Sequence, residues 1–271
     1  MPHSLFLISD RTGITVETLA HTLLTQFENA PEHQVTLPFV DTVAKVEAAV
    51  RQINAASHLD GEPPLVFSSL IDREFREVLK GCNGTVIDFF EAILDPVAEA
   101  MGEAPRGRPG LSHGQGNQNS YDARLAAVNY SLRYDDAERL DGLDMADVVL
   151  LGVSRSGKTP TCLYLSLQYG LRAANYPLTP EDFERGGLPK ALQGLKGKLF
   201  GLTIAPERLQ RIREERRAGS SYAAAARCRD EVRRAEDLYR ANDIPWLDTT
   251  SISIEEIATG IVHQLGLKRR V

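Results

Sequence analysis

Residues 147–151, Asp-Val-Val-Leu-Leu, run directly into Gly152-Val153-Ser154-Arg155-Ser156-Gly157-Lys158-Thr159. This junction constrains the fold more than any other stretch. Two glycines with four residues between them let the backbone curl so that successive N–H groups point inward, where they cradle phosphate oxygens. The helix that must follow adds its positive N-terminal end. Such a loop needs a buried strand before it and a helix after it. The apolar run supplies the first, and Leu163, Leu165, Leu167 and Tyr169 lie in the region of the second. Pro160 falls in the first helical turn, where a missing N–H costs no intrahelical bond. In this reading all eight residues, 152–159, contact the nucleotide. Lys158 is the cation for its terminal phosphate, Thr159 is a hydroxyl for Mg²⁺, and Arg155 adds a further charge inside the loop.

The rest of the chain repeats the strand–loop–helix alternation, which predicts an α/β fold built on parallel sheet. Leu5-Phe6-Leu7-Ile8 reads as a buried strand. Val16, Leu19, Ala20, Leu23, Leu24 and Phe27 follow at helical spacing, with Thr15 as N-cap. Strands are expected at 34–40, 65–67 and 85–90, with helices at 43–55 and 72–80. Residues 102–120, rich in Gly, Pro and polar side chains, lack any hydrophobic period and read as a linker loop. The expected organisation is therefore an N-terminal α/β half over 1–101, the linker, and a P-loop-kinase-like half over 121–271. That second half has helices at 121–134, 158–169, 206–217, 221–242 and 253–265, and strands at 147–151, 198–204 and 245–248. Ser253 and Glu256 form an S-x-x-E capping box before the last helix. No internal repeat of fixed period is visible.

With 31 Lys and Arg against 37 Asp and Glu, the net charge is −6, which argues against nucleic acid as a partner. Cys82, Cys162 and Cys228 show no metal or disulfide spacing. Their isolation and the absence of a long apolar run predict a cytoplasmic protein without membrane association.

The stretch 146–178, ADVVLLGVSRSGKTPTCLYLSLQYGLRAANYPL, resembles the signature of the pyruvate, water dikinase (phosphoenolpyruvate synthase) regulatory proteins, relatives of the plant pyruvate, phosphate dikinase regulator. ISDRTGITVETLA at 8–20, GRPG at 107–110, GLTIAPERLQRIREERR at 201–217 and DTTSISIEEIA at 248–258 agree with it, so the resemblance spans nearly the whole chain. It implies a bifunctional enzyme with phosphoenolpyruvate synthase as its protein substrate. One activity is an ADP-dependent kinase that phosphorylates a threonine and inactivates the synthase. The other removes that phosphate with inorganic phosphate as co-substrate, releasing pyrophosphate. A homo-oligomeric state stays open.

Either reaction needs a carboxylate to accept a proton or hold Mg²⁺. Asp10, at the end of the first strand, and Asp248, at the end of the last, are the catalytic candidates beside Lys158, with Asp88 carrying less weight. Asp10 could equally cap the turn that follows it, and Asp248 could simply end its strand. Arg208, Arg211, Arg213, Arg216 and Arg217 crowd one helical region, where guanidinium groups can neutralise a phosphoryl group or simply face solvent. His113, Arg106 and Arg108 in the linker are open between substrate contact and solvation. Two rival functions share the loop: an ordinary ATP-dependent small-molecule kinase, and a nucleotide-switched binding protein.

Overall fold

A computed structural model describes residues 4–107, 118–217 and 220–270. The chain falls into two compact units, Met1–Gln115 and Gly116–Val271. The first runs β1 (Ser4–Ile8), α1 (Ile14–Leu24), β2 (His33–Leu37), α2 (Val43–Asp60), β3 (Leu65–Ser68), α3 (Arg73–Lys80), β4 (Thr85–Asp88) and α4 (Phe89–Met101). Its sheet is parallel throughout, in the order β2-β1-β3-β4. Because side chains alternate along a strand, β1 faces two ways. Leu5 and Leu7 pack with Val16 and Ala20 of α1, whereas Phe6 and Ile8 join Val46, Ala49 and Ile53 of α2 and Leu79 of α3. The helix expected to be capped by Thr15 instead starts on Gly13, whose φ of 83° is left-handed.

The second unit runs α5 (Gln118–Arg133), β5 (Val148–Gly152), α6 (Lys158–Tyr169), β6 (Ala173–Pro177), α7 (Pro180–Arg185), β7 (Leu199–Thr203), α8 (Pro206–Arg216), α9 (Ala225–Ala241), β8 (Trp246–Asp248) and α10 (Ile254–Gln264). Its parallel sheet has the order β6-β5-β7-β8. All five residues of β5 are buried. Val148 and Leu150 face Leu165 of α6 and Ile257 and Ile261 of α10, while Val149 and Leu151 face Leu209 of α8 and Val232 and Tyr239 of α9. Each such aliphatic side chain contributes roughly 1.5–3 kcal/mol on burial, so the loop that follows β5 hangs from a firmly held strand. Ser253 and Glu256 form the expected reciprocal cap on α10.

Three differences from the sequence reading have local causes. The 173–177 strand was not anticipated, because Ala-Ala-Asn-Tyr-Pro has little β-propensity and is held by its pairing with β5. Helix α5 begins three residues earlier than expected, inside the stretch read as linker. Helix α9 begins later, at Ala225, because a short 3₁₀ turn at Ser221–Ala223 precedes it. Arg106 is exposed. Residues 108–117 of the expected linker, with Arg108 and His113, lie outside the described residues.

Candidate functional site

The chain leaves β5 for a neighbour on one side, β6, and later adds β7 on the other, so the crevice at the carboxyl end of β5 is the switch point of the sheet. Ligands of open α/β sheets bind at such points. Residues 153–157 fill this position between β5 and α6. Gly152 is required by space: a Cβ there would meet Ser156 Oγ at 2.6 Å and the Leu202 carbonyl at 2.7 Å. Gly157 opens α6 in a left-handed conformation, φ 90°, with no side-chain cap. Among the described residues, the N–H groups of Ser154, Arg155, Gly157, Lys158 and Thr159 find no acceptor within the protein. Unpaired donors gathered at a helix start attract an anion.

Lys158 is only 4% exposed, and its Nζ donates to the Val153 carbonyl at 3.0 Å. Burial pulls its pKa down to about 8, a shift only partly opposed by the carboxylates of Asp136 and Asp135. An anionic ligand would restore the full charge. Thr159 Oγ1 donates to Asp135 Oδ1 at 2.9 Å. The same carboxylate oxygen accepts from Asn175 Nδ2, and Asn175 Oδ1 in turn accepts from the Asp136 N–H at 3.0 Å. Asn175 lies on β6 and is 1% exposed, so the unforeseen strand is what holds residues 134–137 against the loop. Asp136, with a φ of 48°, lines a pocket of about 240 Å³ together with Ser154, Arg155, Gly157, Lys158 and Thr159.

Whether Mg²⁺ fits can be judged from these oxygens. Thr159 and Asp135 offer two hard donors 2.9 Å apart. Among the described residues no group of three or more His, Cys, Asp or Glu side chains is suited to hold a metal by itself. Mg²⁺ commonly takes only one or two oxygens from protein, with phosphate and water supplying the rest.

A second set of side chains fixes the far wall of the loop. Arg213 is fully buried; its Nη2 donates to the Ser154 carbonyl at 3.1 Å and to Glu231 Oε2 at 2.7 Å. Its Nη1 donates to the Tyr222 carbonyl, and its guanidinium lies 4.1 Å from the Tyr222 ring centroid. Tyr222 Oη donates to Ser154 Oγ at 2.8 Å. Of the arginine cluster, then, Arg213 is a brace. Arg216 and Arg217 line a neighbouring pocket of about 400 Å³ with Arg155, Arg227, Ser154 and Tyr222, while Arg208 and Arg211 are exposed outside both pockets. Arg155 itself has a φ of 79°. For a residue with a Cβ this conformation costs about 1–2 kcal/mol.

The other carboxylate candidates make bonds of their own. Asp248 is exposed, and its Oδ1 accepts from the Thr250 N–H and hydroxyl, bonds that shape its own turn. Asp88 Oδ1 caps α4 through the Phe90 and Glu91 N–H groups. Asp10 belongs to the first unit, is 6% exposed, and has its pKa raised by burial while it accepts a long bond from the Ile71 N–H. Sequence reasoning missed Asp135, Asp136 and Asn175. They lie 16 to 24 residues from the loop's end along the chain, and Asp135 and Asp136 fall just beyond the helix expected over 121–134.

The sequence model of the kinase/pyrophosphorylase family matches residues 5–262. A protein of Pseudomonas fluorescens is 47% identical over 270 residues, covering all of this chain and 99% of its own. One from Ralstonia nicotianae is 48% identical over 266 residues, 98% of this chain and 95% of its own. One from Bordetella pertussis is 47% identical over 266 residues, 98% and 97% respectively. All three are provisionally named phosphoenolpyruvate synthase regulatory proteins. Matched by the family model over residues 5–262 and by these relatives over nearly its full length, the chain belongs to the kinase/pyrophosphorylase family.

Proposed function

We propose that this protein regulates phosphoenolpyruvate synthase by two opposed phosphoryl transfers, using 152–159 as a P-loop of the kinase type. The observation that carries the reading is one constellation: a buried Lys158, five unpaired loop N–H groups, and the Thr159–Asp135 pair, all at the switch point of a parallel sheet. In the kinase direction ADP lies with its phosphates on the loop. The target threonine oxygen attacks the β-phosphorus, the bond to the bridging oxygen breaks, and AMP leaves. Asp136, lining the pocket, takes the threonine proton. Lys158 and the loop N–H groups face the charge that builds on the transferring group. In the reverse direction an oxygen of inorganic phosphate attacks the phosphothreonine phosphorus. Pyrophosphate leaves and the threonine oxygen regains a proton. Thr159 and Asp135 would hold Mg²⁺, which when bound neutralises phosphate charge.

The test is incubation with a bacterial phosphoenolpyruvate synthase, Mg²⁺ and ADP labelled at the β-phosphate. Label on a synthase threonine, with loss of synthase activity, is the expected outcome. Transfer from ATP to a small metabolite, with no label from ADP, would replace this reading with an ordinary small-molecule kinase.

A further inference from the structure

We infer that the basic pocket beside the loop is a second phosphate site, distinct from that of the nucleotide, and that it takes a phosphate dianion. The dianion is either free inorganic phosphate or the phosphoryl group of a phosphothreonine. The inference rests on the reading of 152–159 as the nucleotide's cradle. Four guanidinium groups, those of Arg155, Arg216, Arg217 and Arg227, line this pocket, and among the described residues no carboxylate does. Among the described residues Arg155, Arg216 and Arg217 form no ion pair, and Arg227 shares Glu231 with the buried Arg213. Like charges so gathered repel one another until an anion joins them, and the planar forks of arginine match phosphate oxygens two at a time.

Two features mark the pocket as built. Its wall is braced to the loop: Tyr222 Oη holds Ser154 Oγ at 2.8 Å, and Arg213, which contacts the Tyr222 ring and carbonyl, holds the Ser154 carbonyl. Arg155, moreover, keeps a side chain at a backbone position that glycine would occupy without strain. That side chain serves two walls, because Ser154 and Arg155 line both this pocket and the one holding Lys158 and Thr159. A phosphate here would stand next to the nucleotide phosphates across a shared residue. The phosphate-dependent reaction needs two such adjacent phosphate positions, since it joins two phosphoryl centres as pyrophosphate.

The experiment uses the full chain saturated with ADP and Mg²⁺, so that the loop is filled and its occupancy is measured first. Inorganic phosphate is titrated in one arm and a short phosphothreonine peptide in the other, followed by ³¹P NMR or calorimetry. Expected is saturable binding of at least one probe, weakened tenfold or more in the Arg216→Gln/Arg217→Gln variant, whose ADP affinity changes less than twofold. The arm that binds identifies the source of the dianion. Equal binding by variant and wild type, or binding of both probes only when ADP is absent, overturns the inference. Failure of ADP itself to bind overturns the reading of the loop, and this inference with it.

Discussion

The two units are built on the same plan yet differ at one loop. In each, four parallel strands are arranged with the second outside the first, the third on the first's other side and the fourth beyond it. In each, the first strand ends in a five-residue loop whose last residue is a left-handed glycine, φ 83° for Gly13 and 90° for Gly157, opening a helix that lacks a side-chain cap. Even the residues run in parallel, Arg11-Thr12-Gly13-Ile14-Thr15 against Arg155-Ser156-Gly157-Lys158-Thr159. The difference is chemical. Where the second unit buries Lys158, the first exposes Ile14 at 62%, and its loop carries the buried carboxyl of Asp10. On the proposed reading the scaffold alone does not make a phosphate site; the residue that opens the helix and one loop position decide it.

The comparison can be sharpened or broken by measurement. The largest effect is expected from Glu231→Ala, which strands the fully buried Arg213 without its counter-ion. Removing one partner of such a pair costs about 3–5 kcal/mol. The first unit's ion pairs among the described residues are all exposed by 40% or more, so urea unfolding should show the second unit destabilised and the first unchanged.

Lys158→Met should lower the ADP-dependent transfer rate by about 10²–10³-fold, the range for one lost charge-stabilising donor. It should also stabilise the fold at pH 7. The folded lysine's pKa is lowered from 10.5 to about 8, so between those values the unfolded chain binds more protons and wild-type stability rises with pH. Below pH 8 the full penalty, at most about 3 kcal/mol, applies. Denaturant midpoints at pH 7 and pH 10 should therefore show the variant's advantage shrinking; an advantage that grows with pH would refute the burial argument.

Asp136→Asn should reduce kcat by about 10²-fold while leaving ADP affinity within a factor of two, as expected for a group that moves a proton. An affinity loss without a rate loss would make it a binding residue instead. The smallest effect belongs to Ile14→Lys, which restores the missing lysine in the first unit but leaves Asp10 in place. Calorimetry should still count one ADP per chain. Two would mean that the scaffold needs only its lysine.

The alternation of strands and helices, the strand–loop–helix at 148–169, the cap on α10 and the family were all legible in the sequence. These depend on local spacing: a period of two or 3.6, a glycine before a helix, a Ser three residues ahead of a Glu. Tertiary structure alone decided that 173–177 is a strand, since its pairing with β5 outweighs a weak propensity. That strand places Asn175, and through Asn175 brings Asp135 and Asp136 to the loop. It also separated Arg213, buried as a brace, from Arg216 and Arg217, which line a pocket, although all three look alike in one helical run. The likeness of the two units was hidden for the same reason: no fixed sequence period marks it, because strand order is settled by which elements bury each other's apolar faces.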